Sequence, residues 1–108
     1  MLKLINKIFS MTDIQASIFK IVQQIPKGKV TNYGVIAKKL GLKSPRIVGW
    51  NLHRNDNSEK TPCHRVVFVD GSLTPGYAFG GKEVQHDKLM SEGVKFNGEK
   101  VSKESFWE

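Results

Sequence analysis

The 108 residues contain a single cysteine, Cys63. One thiol excludes an internal disulfide framework and a cysteine-rich zinc site, and it suits a reducing, cytoplasmic compartment. No apolar run approaches the ~20 residues needed to span a bilayer, so no membrane partner is expected. Residues 1–10 are too short and too interrupted by Lys3 and Lys7 for a signal peptide, and they lack a small-residue cleavage site. Acid is missing where its absence tells most. From Pro26 to Asn55 there is no Asp or Glu, against seven cations: Lys27, Lys29, Lys38, Lys39, Lys43, Arg46 and Arg54. With a formal net charge of +7, that block is the electrostatic footprint of a polyanion partner.

The remaining composition is ordinary. Hydrophobic residues at 39% and charged residues at 25% exclude disorder and fit one domain with a modest core. Residues 12–108 are expected to form that domain, with 1–11 as an N-terminal extension and Met11 equally able to be a natural start. Within the extension, Leu4, Ile5, Ile8 and Phe9 have the spacing of one helical turn.

Thr12-Asp13-Ile14-Gln15 reads as a capping box. It opens a helix over about 13–25 whose apolar positions are Ile14, Ile18, Phe19, Val22 and Ile25. Pro26-Lys27-Gly28-Lys29 is a turn, and Val30 a single extended residue. Thr31 is expected to cap a second helix with apolar positions Tyr33, Ile36, Ala37 and Leu40, stopped by Gly41. Ser44 caps a third helix, with Pro45 in its first turn, running to about His53. Two short helices around a Gly-containing turn fit either a plain helical hairpin or a DNA-reading helix-turn-helix, and the acid-free basic block favours the second. Arg46 then stands at the leading end of the recognition helix.

Beyond a polar loop at 55–60, Val66 to Val69 read as a strand ended by Asp70-Gly71. Residues 74–81 form a glycine-rich loop carrying Tyr77 and Phe79; it lacks the spacing and the Lys-Ser/Thr of a phosphate loop. A helix over 82–92 stopped by Gly93, a hairpin around Asn97-Gly98 and a tail that packs Phe106 and Trp107 on the core complete the chain. His53 and His86 read as solvated surface residues.

Cys63 lies in Thr61-Pro62-Cys63-His64-Arg65-Val66-Val67. A cysteine nucleophile acts as thiolate, and a neighbouring His or Arg favours that form. On a regular strand Cys63 and His64 would point to opposite faces, so they can cooperate only if Pro62 to His64 turns. On spacing alone, Cys63 is equally a small core residue, Tyr33 the first residue of an apolar stripe, and Glu92 an exposed acid at a helix end.

Taken together, Gly28-Lys-Val-Thr-Asn-Tyr33-Gly-Val-Ile-Ala37, Arg46-Ile-Val-Gly49 followed at Asn55, and Pro62-Cys-His-Arg-Val-Val67 resemble the O6-alkylguanine-DNA alkyltransferase family over roughly residues 14–107. The resemblance implies a mainly α fold with a small β component, a winged-helix-like helix-turn-helix domain. It implies a monomeric repair protein, associated with the nucleoid or nucleus, that binds double-stranded DNA, flips out O6-alkylguanine and moves the alkyl group irreversibly to its own cysteine. By match, Cys63 is the acceptor, His64 takes the thiol proton through a water, Glu92 orients the imidazole, and Asn55 holds the turn before the site. Arg46 matches the finger that replaces the flipped base, and Tyr33 the residue that pushes on the adjacent phosphate. Thr31, Lys43 and Arg65 are expected to contact DNA, and Pro62, Tyr77 and Phe79 to wall the substrate pocket. No metal or cofactor is implied. Phe79 stands where larger members place a small hydroxyl residue, and Trp50 and Asn51 are bulkier than usual on their helix. The chain length and the Asn97-Gly-Glu-Lys-Val…Phe106-Trp107 tail also resemble the alkyltransferase-like proteins, which bind alkylated DNA without repairing it, recruit nucleotide excision repair and typically carry Trp at the cysteine position.

Overall fold

The computed structural model describes residues 11–107, so the helical turn expected at Leu4, Ile5, Ile8 and Phe9 lies outside the described residues. The elements in chain order are α1 (Met11–Gln24), β1 (Thr31–Asn32), α2 (Tyr33–Lys39), α3 (Pro45–Leu52), a 3-10 turn (Cys63–Arg65), β2 (Val66–Val67), α4 (Gly81–Ser91), β3 (Phe96–Asn97), β4 (Lys100–Val101) and a second 3-10 turn (Lys103–Ser105). The described residues are mainly helical with two very small sheets. Pairing is parallel between β1 and β2, with Thr31 opposite Val66, and antiparallel between β3 and β4, with Phe96 opposite Val101.

α1 buries Ile18 and Val22, with Ile25 just past its end, as the 3.6-residue period requires. It already includes Met11, so Thr12 lies inside the helix and not at its N-cap. Gln15 reaches away from the helix start to Asn51 Oδ1 at 3.4 Å. The cap of α2 also moves. Asn32, with extended backbone, accepts from Val35 N at 2.9 Å, while Thr31 is drawn into the ladder with Val66. One residue separates the two assignments, and tertiary pairing decides between them. α3 starts as its sequence predicts: Ser44 Oγ accepts from Arg46 N at 3.1 Å, and Pro45 occupies the first turn, where a missing N–H costs nothing.

The strand expected over 66–69 is only Val66–Val67. Gly71 explains the break. It takes φ +90° in a turn closed by Gly71 N to Phe68 O, and its carbonyl accepts from Val101 N at 2.9 Å. A Cβ there would sit 2.6 Å from the Val101 oxygen, so only glycine lets the turn dock on β4. Phe68 and Val69 are left exposed.

Two apolar clusters hold the molecule. Ile18, Val22, Ile36, Val48 and Leu52 pack under the helix-turn-helix together with Cys63 and Tyr77. Val30, Val67, Leu89, Val94 and Val101 join α4 to the hairpin. The tail closes over both: Phe106 packs on the second cluster and Trp107 on the first, and Trp107 N donates to Val30 O at 2.7 Å.

Candidate active site and nucleic-acid interface

Pro62 sets up the nucleophile. Its backbone bends at φ −75° and ψ 71°, with Cys63 N donating to Thr61 O at 2.7 Å, and a 3-10 turn follows in which Arg65 N donates to Pro62 O at 3.0 Å and Val66 N to Cys63 O. Three residues per turn abolish the strand alternation that would have thrown Cys63 and His64 to opposite faces. Asn55 fastens the preceding loop. Its Nδ2 donates to Thr61 O at 2.8 Å and to Cys63 Sγ at 3.3 Å, and its Oδ1 accepts from Asn57 N. Burial pushes the Cys63 thiol above its ordinary pKa; the Asn55 hydrogen bond and the charge of Lys88 pull the other way without overcoming it. The resting group is therefore a thiol that needs a base.

His64 is placed to be that base. Its Nε2 lies 3.0 Å from Glu92 Oε2, and an ionised carboxylate only accepts, so Nε2 carries the hydrogen and Nδ1 the lone pair. His64 Nδ1 is buried without a hydrogen-bond partner among the described residues. Burial lowers the imidazole pKa against the opposing pull of Glu92, so the ring is neutral near pH 7. Glu92 caps α4. Burial raises its carboxyl, but hydrogen bonds from Arg65 and His64 together outweigh that and leave it below the usual range. Arg65 makes the fork: Nε to Oε1 at 2.9 Å and one terminal nitrogen to Oε2 at 2.8 Å. Its other terminal nitrogen donates to Ile25 O at 2.8 Å. Arg65, expected among the DNA contacts, is thus turned inward to Glu92 and to the carbonyl just past the end of α1.

A cavity of about 440 Å³ opens beside the thiol, lined by Cys63, Tyr33, Phe68, Thr74, Gly76, Tyr77 and Ala78 on one side and by Pro45, Arg46, Gly49, Trp50, Leu52 and His53 of the helix-turn-helix on the other. Of the three expected wall residues, Tyr77 lines it; Pro62 and Phe79 do not. Pro62 is spent in the turn, and Phe79 packs on the core and on Tyr77, with Ala78 facing the space instead. His53, read as surface, remains exposed but lines the mouth, its Nδ1 lying 3.2 Å from Gly76 O.

On the outer face, Arg46 in the first turn of α3 and Lys43 before it are exposed, as are Lys38, Lys39 and Arg54. Arg54 stacks 4.0 Å over the half-exposed Trp50 ring. Thr31, also expected among the DNA contacts, is not exposed on this face: it is 1% exposed in the β1–β2 ladder. Tyr33 lines the cavity with its hydroxyl bonded to Thr74 Oγ1 at 2.7 Å.

Two residues of the site escape a reading of motifs. Gln85, fully buried, accepts from Thr74 N and donates to His64 O and Val66 O. Lys88 donates to the Tyr77 hydroxyl at 2.9 Å. Both stand on α4 seven and four residues before Glu92, the spacing of one helix face, and that periodicity is the signal that could have found them.

Residues 13–94 match the family model described as the 6-O-methylguanine DNA methyltransferase, DNA binding domain. A methylated-DNA–protein-cysteine methyltransferase of Methanosarcina acetivorans is 40% identical over 83 residues, covering 76% of this chain and 52% of that protein. A bifunctional methyltransferase/endonuclease of Picrophilus torridus is 37% identical over 90 residues, covering 82% of this chain and 30% of that protein. The chain therefore spans about half or less of the length of these curated relatives. Among solved structures, S. pombe Atl1 in complex with damaged DNA containing O6-carboxymethylguanine matches with a TM-score of 0.77 at 28% identity, over 93% of this chain and 99% of that one. With the family model matched across the helix-turn-helix, the Pro-Cys-His-Arg turn and Glu92, the chain belongs to the 6-O-methylguanine DNA methyltransferase family, in its DNA-binding domain.

Proposed function

We propose that this chain is a DNA repair protein that takes O6-alkylguanine from duplex DNA into the cavity beside Cys63 and accepts the alkyl group on its sulfur. The observation that carries this reading is His64 Nδ1, buried and unpartnered among the described residues in the same turn as the thiol, on a ring fixed by Glu92. The thiol proton passes to Nδ1 by way of solvent. The Sγ–C bond forms as the C–O6 bond breaks, and the electron pair stays on the purine, which takes up the proton. Each turnover consumes the protein, since a thioether is not reversed by these groups. Base flipping is required because the alkyl carbon of a stacked purine cannot approach a thiol that is only 5% exposed. Arg46, exposed and at the cavity rim, fills the gap in the duplex, and Tyr33 bears on the neighbouring phosphate. Lys43 and the other exposed cations hold phosphates without reading bases. Because one chain carries cavity and helix together, it acts as a monomer on chromosomal DNA.

A second reading is favoured by the structural match to Atl1 in complex with damaged DNA, at a TM-score of 0.77. On that reading the chain binds alkylated DNA without chemistry and brings nucleotide excision repair to it. Intact mass after incubation with an O6-methylguanine duplex separates the two. The methyltransferase gains one methyl group in place of the thiol hydrogen, and Cys63→Ala gains none. Tight binding with unchanged mass leaves the sensor.

A further inference from the structure

Lys88 lies outside every motif, yet it reaches into the wall of the thiol's pocket from α4. Its Nζ is 2.9 Å from the Tyr77 hydroxyl and 5.4 Å from the centroid of the same ring, so the ammonium sits beyond the hydroxyl and not over the ring face. It does lie within cation–π range of Phe79, 5.5 Å from that centroid. Phe79, excluded from the cavity, therefore serves as the floor on which the ammonium rests. Ala78, the neighbour that faces the cavity, has no side-chain donor to offer a substrate.

We propose that Lys88 is a positioning residue for the reaction of Cys63: its ammonium holds the Tyr77 hydroxyl and brings a positive charge to the pocket in which thiolate and purine anion form. The proposal rests on the alkyltransferase reading above. A phenol has one hydrogen to give and two lone pairs. With Lys88 on a lone pair, the Tyr77 proton is free for a group in the cavity that Tyr77 and Cys63 share. Burial, together with the Cys63 charge, keeps that phenol protonated at neutral pH, so it remains a donor. The charge of Lys88 also lowers the thiol against its burial. During transfer the Cys63 proton goes to His64, Sγ–C forms and C–O6 breaks. Tyr77 donates a hydrogen bond to the purine that receives the electron pair, and the proton held by His64 returns to the purine through solvent. Tyr77 and Lys88 end as they began.

Lys88→Met keeps the stem and removes donor and charge; Lys88→Arg keeps both. Two readouts apply: the pH dependence of Cys63 alkylation by iodoacetamide, and the single-turnover rate of methyl transfer from a saturating O6-methylguanine duplex. In Lys88→Met the iodoacetamide midpoint moves up by about half a pH unit, and methyl transfer slows by about tenfold or more. Lys88→Arg returns the midpoint to the wild-type value and the transfer rate to within about threefold of it. An unmoved midpoint with an unchanged transfer rate overturns the proposal. So do equal losses in the two variants, which mark packing and not charge. A wild-type chain that takes up no methyl group overturns the alkyltransferase reading instead, and the iodoacetamide midpoint, which needs no DNA, still decides whether Lys88 governs the thiol.

Discussion

Cys63 is both a core residue and the floor of a cavity, and its chemistry follows from that double position. Packed with Ile36, Val48 and Tyr77, it pays the desolvation that keeps the thiol protonated, while Asn55, His64 and Lys88 are arranged to draw the proton off when an electrophile arrives. Asn55→Ala removes a donor to the sulfur and to Thr61 O together. It is expected to cost about 2 kcal/mol in a urea melt and to slow thiol alkylation at neutral pH. Glu92→Ala strands the Arg65 fork and frees His64 to rotate. Removing one partner of a largely buried charge pair costs about 3 kcal/mol, which urea unfolding against the wild-type chain will read.

At the scale of elements, α3 faces the glycine-rich loop across the cavity, and α4 stands behind that loop, where Gln85 ties it to the turn that carries Cys63. The hydrogen bonds run from Tyr33 through Thr74 to Gln85 and on to His64 and Val66, so one side chain links α2, the glycine-rich loop and the 3-10 turn. Gln85→Leu removes one partner each from two buried carbonyls and from the part-buried Thr74 N–H, and the expected loss is about 3 kcal/mol by the same melt. α3 contributes differently. Its Ser44 cap fixes where Arg46 leaves the helix. Arg46→Ala is expected to weaken binding to O6-methylguanine duplex more than to undamaged duplex; equal losses in a binding titration would reduce Arg46 to a phosphate contact. Lys43→Ala should weaken both alike and lower the salt slope of log K by about 1.

The whole molecule carries the pH dependence. His64 and Glu92 both have folded-state pKa values below their ordinary 6.5 and 4.5, so the unfolded chain binds more protons than the folded one in acid. Stability from both groups is fully present above those ordinary values and falls as pH drops through the folded ones. Thermal melts should therefore lose ground from about pH 6.5 downward, with a second decline below about 4.5. His64→Gln should flatten the first part and keep the second. A melting temperature unchanged from pH 7 to 5 in the wild-type chain would contradict the buried, neutral imidazole. The shared clusters make these effects global, since Cys63 and Tyr77 lie in the same apolar core as the helix-turn-helix.

Much was legible from local chemistry alone. Apolar spacing placed α1 to α3, Gly93 marked the stop of α4, Ser44-Pro45 started α3, and the acid-free cations marked the outer face, because propensity, capping and charge act over a few neighbouring residues. The family pattern offered Cys63, His64, Glu92 and Asn55 as candidates for the site. What only the tertiary structure decided concerns contacts between residues far apart in the chain. Pairing with Val66 took Thr31 off the helix start and into the core. The Arg65 guanidinium turned inward to a carboxylate 27 residues on. Phe79 gave its place in the cavity to Ala78, and Gln85 and Lys88 entered the site from a helix with no motif of its own. Each of these outcomes turns on which partner satisfies a buried polar or aromatic group, and that is settled when the core closes.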